Sequence, residues 1–376
     1  MAFCAALFLL ASPAAAAKAV IVLSMDGVGF KQLATIDPAF VTASSVTAVR
    51  PPFPSQTFPS HSTLATGVSP ALHGVLANRP VKAERERGFD AADDRNESRR
   101  LLAEPLWVTA AHRGLESEVK LWPCSYGEWS SSSTHRRQVR FVEETFPMVA
   151  ESVLASVKAW DRSRDFLFMS WTPGLDRVGH LNGPVSEPLR AAWSELKGRL
   201  HDFETALAAS LRPDDRVLVI YVADHGMHEI TRLAPLSLLE RAFEPGTFEA
   251  DHRATQALFH VPLTPKEIES RAKKAGIPLE VRPVETRVNG IAAIGTLPPG
   301  TAFAGELKPG DHCRPDGKKP GWFSCEAMGQ HGYPPDETPW MDAAFWTWSS
   351  SGGALPKRPT ASAGLPAFVW AAFEAL

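Results

Sequence analysis

Three continuous apolar runs are the clearest pattern along the chain, at residues 19–25 (AVIVLSM), 165–171 (DFLFMSW) and 216–223 (RVLVIYVA). Strands that are covered on both faces of a parallel sheet have uninterrupted apolar sequences, whereas half-exposed strands alternate apolar and polar residues. Helical apolar spacing occurs between the runs, at residues 148–160 and 188–211. This alternation predicts an α/β fold with a doubly wound, mostly parallel sheet flanked by helices.

Two segments depart from this pattern. Residues 80–105 carry many charges of both signs, which predicts a solvated loop or an insertion. Residues 240–325 alternate short apolar runs with proline and glycine, which predicts a smaller α+β addition to the core. A length of 376 residues, 44% of them hydrophobic, is enough for one large domain or two ordinary ones. We expect residues 18–376 to form one catalytic domain.

The first 17 residues (MAFCAALFLLASPAAAA) are apolar or small, and their apolar part is too short to span a bilayer. They predict a secretory signal peptide that is cleaved near Ala17, and therefore export to a periplasm or to the extracellular space. A buried N-terminal helix is the alternative. No transmembrane segment is predicted, because no later stretch is sufficiently long and apolar.

Net charge limits the possible partners of the chain. The charged fraction is 22% and the formal net charge is -3, so no strongly basic field is present to hold a nucleic-acid backbone. We therefore expect no nucleic-acid-binding surface. Small anionic substrates remain compatible, since local cations or metal ions can bind them.

The cysteines allow two interpretations. Signal cleavage would remove Cys4. In an exported protein Cys313 and Cys325 could then form a disulfide, with Cys124 as the remaining thiol. Three reduced thiols are the alternative, and spacing does not decide between them.

Residue types that bind metals follow all three predicted strands, and a further histidine lies in the sequence GQHGY. In open parallel sheets ligands bind at the carboxyl ends of the strands, so we expect these side chains at one edge. The candidate metal ligands are Asp26, Asp176, His180, Asp224, His225 and His331.

Carboxylate and imidazole ligands without thiolates are typical of a catalytic divalent metal site, commonly zinc. Six such ligands are too many for one tetrahedral zinc with an open position, and they suit two metals roughly 4 Å apart. Each histidine could instead be a core residue with satisfied hydrogen bonds. The joint placement of the ligands on strand ends favours the metal site.

Thr57 lies between two prolines in the sequence PSQTFPSH of residues 54–61. A threonine hydroxyl becomes a good nucleophile only beside a strong base or a metal ion. Proline suits the first position of a helix, so we expect a helix to begin at Pro59. His61 is then expected to pack and hydrogen-bond in the first turn rather than to act as a base.

The chain resembles the nucleotide pyrophosphatase/phosphodiesterase family of the alkaline phosphatase superfamily. The resemblance implies an alkaline phosphatase-like core and hydrolysis of phosphodiester or pyrophosphate bonds. The motifs that carry it occur in family order between residue 19 and about residue 350, at 26–27, 51–61, 64–67, 73–78, 121–125, 176–184, 223–227 and 329–333.

The resemblance also implies two zinc ions as cofactors, or other divalent metals in their place. The implied ligands of one zinc are Asp26, Asp224 and His225 with the Thr57 oxygen, and those of the other are Asp176, His180 and His331.

The same resemblance implies roles at the substrate. Thr57 would be the nucleophile and would form a threonyl-phosphate intermediate. Asn78 would donate its amide to a phosphate oxygen, and Phe58 would flank the leaving or base-bearing group. The expected partner is thus a small phosphodiester or nucleotide substrate.

Two features depart from the family pattern. Pro173-Gly174-Leu175 precedes Asp176, where the family often has Glu-Pro. Family members that bind nucleotides stack the base on an aromatic residue after the Leu-Trp-Pro motif, and here Tyr126 or Trp129 could serve. A surface loop with a buried tryptophan is the alternative there.

Three other functions are alternatives. A phosphomonoesterase of the same superfamily would need additional groups to bind the extra phosphate oxygen, and the sequence does not reveal them. A sulfatase is disfavoured because no Cys or Ser in a C/S-x-P-x-R motif occupies the position of the nucleophile. An inactive zinc-stabilised binding protein is disfavoured by the complete ligand set and the intact threonine.

Overall fold

The computed structural model describes residues 16–86, 100–126, 135–139, 145–286, 288–305, 307 and 313–376. Most of the predicted signal peptide, residues 1–15, lies outside them. Within the described residues, no helix is both long and apolar enough to cross a membrane.

The strands are β1 (Lys18–Met25), β2 (Thr47–Val49), β3 (Glu116–Lys120), β4 (His135–Val139), β5 (Phe166–Thr172), β6 (Arg216–Val222), β7 (His228–Pro235), β8 (Phe248–Glu249), β9 (Gln256–Phe259), β10 (Glu280–Pro283), β11 (Ala293–Thr296), β12 (Thr301–Ala304), β13 (Cys313–Pro315), β14 (Phe323–Gln330) and β15 (Ala343–Ser349). The α-helices are α1 (Phe30–Ile36), α2 (Pro38–Ala43), α3 (Thr57–Thr66), α4 (Pro70–His73), α5 (Lys82–Glu86), α6 (Leu106–His112), α7 (Phe146–Ala159), α8 (Asp176–Asn182), α9 (Glu187–Ser210), α10 (Leu236–Ala242), α11 (Pro265–Lys274) and α12 (Leu365–Ala375).

The central sheet of the described residues has seven strands in the order β2-β15-β6-β1-β5-β3-β4. β1 pairs in parallel with both neighbours, so that Val20 lies opposite Leu167 of β5 and Leu218 of β6. β15 is antiparallel to β6 and to β2. The predicted α/β fold with a mostly parallel sheet is confirmed, and the predicted strands and helices match the structure to within one or two residues.

Helices cover both faces of this sheet, which explains why β1 is apolar at successive positions. Ile21 and Leu23 belong to the apolar layer that includes α7 and α9, whereas Val20 and Val22 belong to the layer that includes α3, α6 and α12. All four side chains are 0% exposed. Burial of each aliphatic side chain contributes about 1.5–3 kcal/mol, which favours apolar residues on both faces of the strand. Ser24, the one buried polar residue of β1, is hydrogen-bonded to His61.

Two smaller sheets lie beyond the central one, with the orders β10-β11-β9-β8 and β12-β7-β14-β13 in the described residues. Residues 240–325 contribute most of these strands together with α11, but the second sheet already begins with β7 at His228. β14 is antiparallel to β7, with Gln330 opposite His228. This pairing brings His331, the next residue, close to the loop that follows β6.

A disulfide joins Cys313 in β13 to Cys325 in β14, which lie opposite each other in the strand register. Of the two alternatives that the sequence left open, the structure contains the disulfide. Cys124 is buried in the core.

The charged segment 80–105 is solvated only in part: among its described residues Lys82, Arg85, Glu86 and Glu104 are exposed, as predicted, but others are buried. Glu84 in α5 is 0% exposed and Arg100 is 3% exposed. The Nε of Arg100 donates to Oε1 of Glu84 at 2.9 Å. Opposite charges can be buried when they neutralise each other in this way. Residues 87–99 lie outside the described residues.

Candidate active site

The ends of three adjacent strands form the base of the candidate site. Asp26 follows β1 directly, Asp176 begins α8 after a short turn from β5, and Asp224 follows β6. The N–H of Asp26 donates to the carbonyl of Thr172 at 3.0 Å, and the N–H of Gly27 donates to Oδ1 of Asp224 at 3.1 Å. Gly27 has φ +67°, and an added Cβ would lie 2.7 Å from the Cα of Asp176, so this close approach requires glycine.

The expected ligand atoms form two compact groups that share one histidine. Asp26, Asp224 and His225 each offer an atom within 4.8 Å of the other two. Asp176, His225 and His331 do the same. The structure therefore places His225 in contact with both groups, whereas the resemblance assigned it to one.

His180 lies at the outer side of the second group. Its Nε2 is 3.2 Å from Oδ2 of Asp176. Its ring centroid is 5.0 Å from that of His331, and the His331 ring stacks on His225 at 3.7 Å. All six expected ligands are thus brought together at one edge of the sheet.

In each of the three histidines Nδ1 is paired with a backbone carbonyl, and Nε2 faces the carboxylates of the site. A neutral imidazole that donates from Nδ1 keeps its lone pair on Nε2, which is the form that binds a metal. The Nδ1–carbonyl pairs are His180–Gly329 at 3.0 Å, His225–Gly226 at 3.0 Å and His331–Ser55 at 3.1 Å.

The three aspartates each have a buried carboxylate oxygen without a hydrogen-bond partner among the described residues: Asp26 Oδ1, Asp176 Oδ1 and Asp224 Oδ2. Buried oxygens of this kind are costly unless a cation meets them. The other oxygen of Asp26 accepts a hydrogen bond from Nε1 of Trp171 at 3.0 Å. A donor set of three carboxylates and three imidazoles fits two divalent metal ions.

The pKa shifts at the site reflect burial and close contacts between its carboxylates and imidazoles. Burial, with the nearby carboxylates of Asp224 and Asp176, raises the pKa of Asp26 well above its usual range. Burial acts in the same direction on Asp224, but its contact with His225 outweighs this and lowers the pKa to about 2. Burial and the nearby His225 lower the pKa of His331 to about 3. Divalent cations would relieve this excess of buried carboxylate charge.

Thr57 opens α3 and its side chain faces the ligand groups. Oγ1 lies 3.4 Å from Nε2 of His225. The helix begins two residues before Pro59, so the predicted start at Pro59 is wrong. Proline is tolerated here because the N–H groups of the first helical turn have no partner within the helix. The helix N-terminus also favours negative charge beside Thr57.

His61 uses both ring nitrogens for structural hydrogen bonds. Its side chain is 0% exposed, with Nδ1 2.7 Å from the carbonyl oxygen of Thr57 and Nε2 2.7 Å from Oγ of Ser24. These contacts hold the first turn of α3 against β1. They agree with the expectation that His61 packs and hydrogen-bonds in this turn.

Asn78 and Phe58 lie next to each other at the start of α3. Oδ1 of Asn78 accepts the N–H of Phe58 at 2.9 Å, so the Nδ2 end of the amide is its donor end. Phe58 is half-buried against the apolar layer of α3, α6 and α12. The guanidinium carbon of Arg100 lies 5.5 Å from the centroid of the Phe58 ring.

Two glutamines that the sequence analysis missed connect the parts of the site. Oε1 of Gln56 accepts the N–H of Asn78 at 3.2 Å, and its Nε2 donates to Oε1 of Gln256 at 2.5 Å. Nε2 of Gln256 donates to the carbonyl of Gly332, next to His331. The position of Gln56 in the threonine motif was a sequence signal for it, whereas nothing in the sequence pointed to Gln256.

Comparison with known proteins identifies the family. The model of the type I phosphodiesterase / nucleotide pyrophosphatase family matches residues 20–290. The chain belongs to this family. Its last expected ligand, His331, lies beyond the matched region.

Curated relatives share about a quarter of the aligned residues with this family member. An uncharacterized pyrophosphatase/phosphodiesterase of Schizosaccharomyces pombe is 29% identical over 181 residues, which are 47% of this chain and 37% of that protein. Human ectonucleotide pyrophosphatase/phosphodiesterase family member 1 is 26% identical over 182 residues, which are 48% of this chain and 20% of that protein. The chain thus matches about a fifth to two fifths of the length of these relatives.

Solved structures share the fold over nearly the whole chain. Murine ectonucleotide pyrophosphatase/phosphodiesterase 5 has a TM-score of 0.72 at 19% identity, with 95% of each chain covered. An inactive Thr-to-Ala variant of the murine protein in complex with AMP has a TM-score of 0.70 at 20% identity, again with 95% of each chain covered. The expected alkaline phosphatase-like architecture is confirmed by these similarities.

In this phosphodiesterase family member a cavity of about 990 Å³ opens beside the ligand groups. Asn78, His180 and His331 lie in its wall. Tyr126, one of the two aromatic residues considered for base stacking, is half-buried. The other, Trp129, lies outside the described residues.

Proposed function

We propose that the protein is an exported phosphodiesterase and nucleotide pyrophosphatase with Thr57 as its nucleophile and two zinc ions as its cofactors. One observation carries this proposal: Thr57 Oγ1 lies 3.4 Å from Nε2 of His225, and His225 belongs to both candidate ligand groups. A threonine hydroxyl needs such a setting to react. Family membership supports hydrolysis of phosphoric esters, and the AMP complex of the murine structure supports a nucleotide ligand.

The ligand residues would hold the zinc ions through the buried carboxylate oxygens and the Nε2 atoms described above. Zinc bound there would favour the alkoxide form of the threonine and offset negative charge on the phosphate oxygens. Other divalent metals are compatible with the same oxygen and nitrogen donors. The proposed ligands are Asp26, Asp224 and His225 with Thr57 for one ion, and Asp176, His180 and His331 for the other.

The side chains of the site would then act in a double displacement. Thr57 Oγ attacks phosphorus in line, forming an Oγ–P bond while the bond to the leaving oxygen breaks, and its proton passes to solvent. Water attacks the resulting threonyl phosphate, the Oγ–P bond breaks, and the hydroxyl is restored. Asn78 donates from Nδ2 to a non-bridging oxygen, positioned by its bond to the Phe58 N–H. Phe58 flanks the organic group of the substrate.

Export is supported by two independent features. The apolar segment before Lys18 has the composition of a signal peptide, and Lys18 is the first residue of β1. The disulfide between Cys313 and Cys325 is of the kind that persists in oxidising compartments. Mass spectrometry of the secreted protein should give the mass of residues 18–376, and the uncleaved mass in the cytoplasm would contradict export.

The activity is tested with zinc-loaded protein of residues 18–376 and two chromogenic esters. We expect bis-p-nitrophenyl phosphate, a diester, to be hydrolysed in strong preference to p-nitrophenyl phosphate, a monoester. A chelator should abolish turnover and added zinc should restore it. Thr57→Ala should lose at least about a thousandfold in kcat, whereas Thr57→Ser should keep substantial activity because it retains a hydroxyl.

Each alternative predicts a different result. A preference for the monoester would place the protein among the phosphomonoesterases, with the same metals and nucleophile. No turnover of either ester with zinc bound would favour a binding protein. Near-complete activity of Thr57→Ala would refute the role of the threonine.

A further inference from the structure

Gln256, the first residue of β9, has a side chain that bonds outside its own sheet, β10-β11-β9-β8, called the β9 sheet below. The residue is 5% exposed. Its Oε1 accepts from Nε2 of Gln56 at 2.5 Å, and its Nε2 donates to the carbonyl of Gly332. A buried amide is costly unless it is hydrogen-bonded, and these bonds compensate for that cost. Through this one side chain the β9 sheet reaches two segments of the candidate site.

The first of these segments carries the proposed nucleophile. Gln56 directly precedes Thr57, and its Oε1 accepts the N–H of Asn78 at 3.2 Å. Oδ1 of Asn78 in turn accepts the N–H of Phe58, which directly follows Thr57, at 2.9 Å. The residues on both sides of the nucleophile are therefore bonded to the segment that carries the proposed phosphate-binding amide.

The second segment is the loop of the proposed metal ligand His331. Gly332 has φ +102°, and an added Cβ there would lie 2.6 Å from Nε2 of Gln256 and 2.6 Å from Oγ1 of Thr255. Oγ1 of Thr255 also donates to the carbonyl of His331 at 3.1 Å. On the other side of the loop, Nδ1 of His331 pairs with the carbonyl of Ser55 at 3.1 Å. The loop is therefore held between the start of β9 and the segment that precedes the nucleophile.

The two glutamines form a continuous series of hydrogen bonds with a fixed direction. The series starts at the N–H of Asn78, passes through the amides of Gln56 and Gln256, and ends at the carbonyl of Gly332. A backbone donor at one end and a backbone acceptor at the other allow only one orientation of each amide. Polar networks whose members are satisfied in this way rigidify the groups that they join.

We propose that Gln256 is a positioning residue that acts through Gln56. It holds the nucleophile segment, the Asn78 segment and the His331 loop in one arrangement, and it makes the β9 sheet a support of the reaction geometry. This inference rests on the proposed function, because it concerns residues to which that function assigns roles. Misplaced reacting groups slow the chemical step, so the effect belongs in kcat rather than in KM.

The kinetic test replaces each glutamine by methionine, which has a similar length but cannot make these hydrogen bonds. We expect Gln256→Met to lower kcat for bis-p-nitrophenyl phosphate about tenfold, on the order of one lost hydrogen bond, and to change KM less than about threefold. Gln56→Met should have a similar effect. Because both residues act in one series, the double variant should also be about tenfold slower than wild type, whereas independent effects would multiply to about a hundredfold.

Glu269→Met is the matched control. Oε1 of Glu269 accepts the N–H of Val281 at 3.0 Å, a bond that joins α11 to β10 of the same sheet. The control should destabilise the β9 sheet but change kcat less than about threefold. All rates are measured at saturating zinc, so that weaker metal binding does not cause the loss. Equal falls in kcat for Gln256→Met and the control, or effects that multiply in the double variant, would overturn the inference.

Hydrogen exchange tests the same contacts without catalysis. Mass spectrometry of peptides that contain Asn78 measures the exchange of its N–H, which is bonded to Gln56. Exchange should be at least about tenfold faster in Gln256→Met, since Gln56 loses the partner that orients its amide, and it should be unchanged in Glu269→Met. An unchanged rate in Gln256→Met would overturn the inference. Failure of the parent protein to hydrolyse any phosphodiester would refute the proposed function, yet the exchange rate would still support or overturn the coupling of Gln256 to Asn78.

Discussion

Arg100 offers the most informative perturbation outside the ligand groups. It is 3% exposed and bonds to Glu84 at 2.9 Å. Its terminal nitrogens also donate to the carbonyls of Ala77 at 2.9 Å and Asn78 at 3.4 Å, and its guanidinium lies 5.5 Å from the Phe58 ring centroid. The change Arg100→Met keeps a long apolar side chain but removes all of these polar contacts.

The expected loss of stability follows from burial of the charged partner. Without the guanidinium, the Glu84 carboxylate is a buried charge without its counterion, which costs about 3–5 kcal/mol. Glu84→Met leaves the Arg100 charge in the same position and costs a similar amount. Replacing both removes both buried charges, so the double variant should be more stable than the sum of the single losses predicts, by at least about 2 kcal/mol.

The measurement is a double-mutant cycle by urea denaturation. An exposed pair on α9, Arg199 and Glu195, with side chains 45% and 65% exposed, provides the matched control. Its coupling should be no more than about 0.5 kcal/mol. If the cycle of Glu84 and Arg100 gives a coupling as small as that of the exposed pair, the reasoning from burial is refuted.

Loss of Arg100 should also reduce activity, because the loop that carries Asn78 would no longer be held. We expect kcat/KM for a diester to fall about tenfold in Arg100→Met at a temperature where the variant is folded. In a protein that already carries Asn78→Ala, the same change should have little further effect, since Arg100 acts through Asn78. Equal effects in both backgrounds would contradict this positioning role.

Three further results are expected. Gly27→Ala should lower zinc content measured by mass spectrometry, because the added methyl would lie 2.7 Å from the Cα of Asp176; normal zinc content would contradict this. Trp171→Phe removes the indole donor to Asp26 and should weaken zinc affinity about 10- to 100-fold in a chelator competition, and unchanged affinity would refute the role of that bond. Burial lowers the pKa of the His73 imidazole from 6.5 to about 3. Between these pH values the unfolded chain binds a proton at His73 and the folded protein does not, so the free energy of unfolding falls as the pH drops from 6.5 towards 3. In urea denaturation the free energy of unfolding of the wild type should therefore fall by up to about 1.4 kcal/mol per pH unit more than that of His73→Gln. Equal losses in the two proteins would show that His73 is not the source of the pH dependence.

The strands of the central sheet could be predicted from sequence because their environment is uniform. β1 is covered on both faces, and each of its positions from Ala19 to Met25 except Ser24 is apolar as a result. The position of the candidate ligands after these strands follows from the same geometry, since parallel strands end at a common edge. The family motifs then indicated Thr57 and Asn78.

The contacts that complete the site could not be predicted, because they join residues far apart in the chain. Gln56, just before α3, meets Gln256, the first residue of β9, although 200 positions separate them in the chain. The segment with Glu84 and Arg100 has the composition of a solvated loop, and a sequence of charges does not show which of them pair.

The sequence by itself thus determined the α/β core, the ligand types and the candidate nucleophile, since each depends on local patterns of burial or on short motifs. Only the tertiary structure decided that His225 is shared by both candidate ligand groups, and that Glu84 and Arg100 are buried as a pair. Those features depend on distances between separate elements, and a linear pattern of residues does not contain such distances.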